Sequence, residues 1–149
     1  MVQQSTDIWN EVNKIEVALM QKRPVNVFQI PPIASAQGHC SADWRGKQMW
    51  TGNCKVMHEL NTCCKIILVN DDESIFAQSI ITDGSTYDTH VERAYDSSRA
   101  FSLVLVSDSG QKATVGIMFP ERNDSFDFIQ ALDNFKKAYR VEKGLDSNF

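Results

Sequence analysis

Apolar and polar residues alternate in short runs from about residue 15 to residue 119, and turn-forming residues punctuate those runs. A period of two is the signature of half-buried β-strands. In residues 50–57, Trp50, Gly52, Cys54 and Val56 alternate with Thr51, Asn53, Lys55 and Met57, so one face can enter a core while the other stays mixed. Residues 66–69 are continuously apolar, which predicts a strand covered on both faces. Further strands are predicted over 75–81, 89–95, 101–106 and 113–119, with Phe101, Leu103 and Leu105 on one face of the third. The separators Asn70-Asp71-Asp72, Asp83-Gly84, Asp96-Ser97-Ser98 and Asp108-Ser109-Gly110 tolerate the left-handed region or bond their own backbone.

The first thirty residues fit two patterns. Ile8, Val12, Ile15 and Leu19 form a helical stripe, whereas Ile15, Val17 and Leu19 alternate as a strand. Val25-Asn26-Val27-Phe28-Gln29-Ile30, after Arg23-Pro24, reads as the continuation or partner of a strand starting near Ile15, and Pro31-Pro32 ends it. Residues 34–47 lack periodicity and predict an ordered surface loop anchored by Trp44. After Pro120 the period becomes 3.6: Phe128, Leu132, Phe135 and Tyr139 predict an amphipathic helix over residues 125–142. Asn123 or Asp124 is its expected N-cap, and Lys136, Lys137, Arg140 and Lys143 suit its C-terminal end. The expectation is a mainly β fold with one C-terminal α-helix. About seven antiparallel strands form a partly open barrel closed by that helix, an order that resembles the pleckstrin-homology-like superfold. The domain is expected over 15–143, between an N-terminal extension, 1–14, and a C-terminal tail, 144–149.

Composition narrows the classes. At 149 residues, 42% hydrophobic and 23% charged, the chain is an ordinary one-domain globular protein, not a coiled coil, a collagen or a low-complexity segment. No apolar run approaches the roughly 20 residues that span a bilayer, and the N-terminus has no signal-peptide pattern, so neither an integral membrane span nor secretion is expected. A net charge of -4 argues against nucleic acid as a partner. The acids crowd into residues 70–110, where Asp71, Asp72, Glu73, Asp83, Asp88, Glu92, Asp96 and Asp108 face only Arg93 and Arg99; in turn-like sequence they chiefly keep loops wet.

Chemistry is sparse. Cys40, Cys54, Cys63 and Cys64 contain no C-x-x-C pair and no matching histidine spacing, so reduced thiols are expected, without metal or cofactor. The histidines His39, His58 and His90 are far apart, and no P-loop, dinucleotide or H-E-x-x-H motif occurs. A hydrolase reading would rest on His39-Cys40-Ser41 with Asp43, neighbours in a loop rather than an oriented triad. A phosphoinositide reading needs several cations converging from the first hairpin, yet the first thirty residues hold only Lys14, Lys22 and Arg23 among Asp7, Glu11 and Glu16. On the helix, Lys136, Arg140 and Lys143 share an angular band with Ile129, a cationic edge beside an apolar residue that suits a peptide mixing aromatic and acidic side chains. The plainer assignment pairs Asp133 with Lys136 or Lys137.

Six ordered segments carry a family resemblance: Val27-Phe28-Gln29-Ile30-Pro31-Pro32-Ile33-Ala34-Ser35, Ser41-Ala42-Asp43-Trp44, Trp50-Thr51-Gly52, Phe76-Ala77-Gln78, Asp96-Ser97-Ser98-Arg99-Ala100-Phe101, and Gly116-Ile117-Met118-Phe119 through Asp124-Ser125-Phe126-Asp127-Phe128. Over roughly residues 15–140 the chain resembles the NECAP family, the adaptin-ear-binding coat-associated proteins. The resemblance implies a pleckstrin-homology-like PHear domain of the cytoplasmic clathrin-mediated endocytosis machinery. It also implies binding without catalysis, to F-x-D-x-F-type peptides of endocytic accessory proteins and to the clathrin adaptor complex at coated pits and vesicles. Such a ligand needs an apolar patch beside a cation, and Arg99 and Arg122 fall in matched motifs, where an arginine fork suits a carboxylate. With Ile129, Lys136 and Arg140 they make up the expected peptide-binding residues. The competing assignments pair Arg99 with Asp96 and Arg122 with Glu121. Phe126-Asp127-Phe128 reads as structural, with Phe128 facing the core, and Trp44 and Trp50 as framework. Asn123 stands where the family commonly has Gly, and residues 144–149 carry no W-x-x-F motif of the kind family members use for the adaptor ear.

Overall fold

The computed structural model describes residues 15–31, 38–60, 62–106 and 109–144. The backbone of the sheet is β1 (Glu16–Gln29), one continuous strand, so residues 25–30 continue the strand from Ile15 rather than pairing with it. β1 pairs antiparallel with β2 (Gln48–Glu59) along its length, with irregular register around Met20, and with β7 (Lys112–Met118) only over Asn26–Gln29. Pro24 therefore falls where β1 has a sheet neighbour on one side only, the place in a sheet where a missing N–H costs least.

β3 (Cys63–Val69), β4 (Ile75–Ile81), β5 (Val91–Arg93) and β6 (Ala100–Val106) complete a seven-stranded antiparallel sheet of order β4-β3-β2-β1-β7-β6-β5. The sheet bends until β4 lies against β6 without pairing to it, giving the partly open barrel. The open end is closed by α1 (Arg122–Glu142), whose Phe128, Leu132 and Phe135 are buried, with Tyr139 packed beside them. Every residue of 66–69 is buried, as its unbroken apolar run requires. A second, smaller cluster covers the outer face of β1, β6 and β7. There a 3-10 turn, Ser41–Trp44, drives the Trp44 indole against Ala94, Ala100, Phe28, Ile30 and Met118. The anchored loop thus has its anchor where expected, although residues 32–37 lie outside the described residues, as do 1–14, Asp108 and 145–149.

Three expectations need correction. Residues 89–95 are not one strand: Gly84–Thr89 forms a 3-10 helix, and only Val91–Arg93 pairs, with Phe101–Leu103. The polar segment prefers to turn Tyr87 toward α1, where its hydroxyl donates to Asp133 at 2.6 Å. The helix starts at Arg122, not Ser125, because the buried Phe119 fixes the chain just before Pro120. Its N-cap is Glu121, without a side-chain cap bond, instead of Asn123 or Asp124; the Asp124 carboxylate lies 3.2 Å from Arg23 Nε.

Candidate functional site

The N-terminal end of α1, the turn before it and the start of β6 form one corner of the molecule. Arg99 reaches across this corner, its Nη1 donating to the Pro120 carbonyl at 2.8 Å, while the Phe119 N–H donates to the Arg99 carbonyl at 3.0 Å. Arg122 follows Pro120 by two residues. It is exposed and has no ion pair among the described residues. Phe126, one helical turn on from Arg122 and on the same side of the helix, is 69% exposed, a large apolar side chain held in water. Phe128 points the other way, with ring centroids 5.3 Å from Phe101 and 5.2 Å from Phe119. The Phe-Asp-Phe segment is thereby divided between surface and core. A third cation, Arg93, stands opposite Phe101 on β5 with its guanidinium carbon 5.9 Å from the ring centroid.

Two features keep acids away from Arg99 and Arg122. Asp96, the expected partner of Arg99, instead accepts from the Ser41 N–H at 2.8 Å, the Ser41 hydroxyl, the Ala42 N–H and the Cys40 thiol. Burial alone would raise its carboxyl pKa, but these donors outweigh it and hold the group below the ordinary range. Asp124 and Asp127 of the first helical turns lie 3.2 and 3.7 Å from Arg23 on the opposite side of α1. The uncapped first turn also leaves backbone N–H groups at the corner without a side-chain acceptor, in the positive field of the helix end.

The remaining expected residues do not converge there. Ile129 is half-buried against the core, Lys136 is exposed and Arg140 is half-buried. At about 1.5 Å of rise per residue, Lys136 and Arg140 lie about 20–27 Å along α1 from Arg122. Asp133 of the same band is taken by Tyr87 and not by Lys136 or Lys137. The signal for Arg93 was its position in strand-like sequence, but its cross-strand partner cannot be read locally. Phe126 was visible in sequence only as half of a motif, and its exposure depends on where the helix starts.

The chemistry of the alternatives is equally concrete. In the Cys40 loop the Asp96 carboxylate is occupied by backbone and hydroxyl donors, and His39 contributes its carbonyl to the Tyr95 N–H. Lys22 pairs with Glu73, and Arg23 with Asp124 and Asp127, so both cations of β1 are neutralised in place. Among the described residues no group of three or more His, Cys, Asp or Glu forms a metal cage, and no helix is long and apolar enough to cross a membrane.

Comparison with known proteins agrees with this architecture. Residues 15–148 match the family described as "Protein of unknown function (DUF1681)". Human adaptin ear-binding coat-associated protein 1 is 36% identical over 125 residues, covering 81% of this chain and 44% of that protein. Rat adaptin ear-binding coat-associated protein 2 is 32% identical over 128 residues, covering 85% and 48%. An uncharacterized protein of Arabidopsis thaliana is 31% identical over 134 residues, covering 89% and 49%. The chain spans about half the length of these relatives. Among solved structures, the Ran-binding domain of the Ashbya gossypii nuclear complex component Nup2 superposes with a TM-score of 0.56 at 9% identity, covering 83% of this chain and 97% of that domain. That likeness is one of fold, and Ran-binding domains are pleckstrin-homology-like. With the matched segments spread from β1 to α1, the chain belongs to the DUF1681 family, the PHear domain of the adaptin ear-binding coat-associated (NECAP) proteins.

Proposed function

We propose that the domain, residues 15–143, is a non-catalytic recognition module that docks F-x-D-x-F-type peptides of endocytic accessory proteins and the clathrin adaptor complex, in the cytoplasm at clathrin-coated pits and vesicles. Its relatives are named for binding adaptin ears and for association with coats, which supports an adaptor-directed role. The observation that carries the peptide reading is the corner where Arg99 is bonded to the Pro120 carbonyl, two residues before the exposed Arg122 and shortly before the exposed ring of Phe126 one helical turn on. An aromatic of the ligand gains area against Phe126, and its acid meets an arginine fork and the positive end of α1. Ile129 supplies half-buried apolar surface one turn further on. Lys136 and Arg140 belong to a distal part of the same helix and would meet only the flanks of a longer partner.

Titration of the ¹⁵N-labelled chain with an F-x-D-x-F peptide is the direct test. Resonances of Arg99, Arg122 and Phe126 move together, and Arg99→Ala with Arg122→Ala weakens binding at least about tenfold, the expected loss for charge-assisted hydrogen bonds to a carboxylate. Saturating shifts confined to Lys136 and Arg140, or no shifts up to about 5 mM peptide, would refute the assignment to this corner. The lipid alternative predicts sedimentation with phosphoinositide-containing vesicles at physiological salt, and the neutralised Lys22 and Arg23 weigh against that outcome.

A further inference from the structure

A cleft of about 860 Å³ lies between β4 and the ends of β6 and β7 away from the arginine corner. Its walls are the first half of β4, Ile75, Phe76 and Gln78, and the distal ends of β6 and β7, Leu105, Val106 and Lys112. β4 is an edge of the sheet. It lies against β6 without pairing, and β5 covers β6 only as far as Leu103. The cleft is thus bordered by the free edge of β4 and by the end of β6 beyond its pairing with β5, and a free strand edge is a row of backbone groups that an extended chain can pair with.

The apolar wall is pre-formed. Ile75 is 58% and Phe76 41% exposed, yet Phe76 is not loose: it stacks on Trp50 with centroids 4.5 Å apart and planes 7° from parallel. Trp50 in turn lies flat over Gly52 and donates from Nε1 to Asn70 Oδ1 at 2.8 Å. Two of the six segments that carry the family resemblance, 50–52 and 76–78, meet in this wall, and the arginine corner uses neither. The one charged residue lining the cleft is Lys112, exposed and without an ion-pair partner among the described residues. An occupant that meets an unpaired ammonium across an otherwise uncharged cleft is complementary when it carries a carboxylate.

We propose that β4 is a second docking site, independent of the arginine corner, which takes an extended apolar segment of another protein as an added strand, with an acidic side chain placed against Lys112. The volume suits about four residues, some 13 Å of strand. Backbone bonds to β4 hold the segment, Ile75 and the Phe76 ring braced by Trp50 pack its alternate side chains, and Lys112 sets its orientation.

The probes are two capped hexapeptides, Val-Glu-Val-Glu-Val-Glu and its lysine counterpart Val-Lys-Val-Lys-Val-Lys, titrated into the ¹⁵N-labelled full chain. The glutamate peptide is expected to shift amides of residues 75–78, 105–106 and 112–113 while leaving Arg99, Arg122 and Phe126 unmoved. The exposed-surface variant Lys112→Glu is expected to bind it about fivefold more weakly and to favour the lysine peptide. Equal response to both peptides, shifts only at the arginine corner, or no response up to about 5 mM would each overturn the proposal. Self-association of the free chain that buries these amides would overturn it too, in favour of a second copy as occupant. An F-x-D-x-F titration read at Arg99 and Arg122 reports separately on the corner.

Discussion

An indole ring needs a flat bed, and in this protein glycines supply it. A Cβ on Gly116 would stand 2.7 Å from Ile30 Cγ2 and 2.8 Å from the Trp44 ring, and one on Gly52 would stand 2.3 Å from the Trp50 ring. Gly116→Ala is therefore expected to lower stability by about 1–3 kcal/mol, the ordinary range for forcing volume into a packed site. Urea unfolding measures the loss, and red-shifted tryptophan emission, read in a chain with Trp9 and Trp50 replaced by Phe, reports the displaced Trp44 ring. Asp96 carries a second prediction. Its folded pKa is depressed by its donors, so the stability it contributes is complete above the unfolded carboxyl pKa and is lost as pH falls below about 4. Asp96→Asn should flatten that acid limb and free the Cys40 thiol for faster alkylation; an unchanged limb and labelling rate would refute the role. Legibility at this scale follows locality. Trp44 and Trp50 read as framework because tryptophan is large and rarely idle, whereas the glycine beneath Trp44 belongs to a strand far along the chain.

Elements stay legible where a single requirement dominates. β4 runs over the residues its alternation indicates, and the aromatic stripe of α1 is the face that closes the barrel. Ends and short pieces do not, because tertiary partners decide them: Phe119 brings α1 forward to Arg122, Arg23 takes Asp124 from capping duty, and Tyr87 turns residues 84–89 into a 3-10 helix. The site follows the same rule. Arg99 and Arg122 can be found from matched motifs, but the exposure of Phe126 depends on that helix start and the placing of Arg93 over Phe101 on one cross-strand pair. The Tyr87–Asp133 bond yields a prediction with a sign. Burial first, and the Asp133 carboxylate second, push the Tyr87 pKa up to about 12, so the fold favours the neutral phenol. Its stabilising contribution is whole below pH of about 10 and is lost as pH rises through about 12. Tyr87→Phe should cost about 1–2 kcal/mol at neutral pH and reduce the alkaline loss, to which the buried Cys54 and Cys64 thiols also contribute, measured by chemical denaturation at pH 7 and at pH of about 11.

For the whole molecule the governing connection is β1, which holds β2 on one side and, over its second half, β7 on the other. Closing the sheet joins Asn26–Gln29 to Val115–Met118, contacts of high sequence separation. Refolding from urea is accordingly expected in milliseconds to seconds, not microseconds, and a microsecond phase with full amplitude would contradict the topology. During synthesis the same geometry acts as a delay line. The β1–β4 meander can assemble as it leaves the ribosome, but the far rim of β1 stays bare until β7 and then α1 emerge. At cellular elongation rates of about 5–20 residues per second, that wait lasts about 5–20 s. Throughout it a half-paired strand edge is offered to every neighbouring nascent chain, so a chaperone that covers it is expected to raise the yield of folded protein.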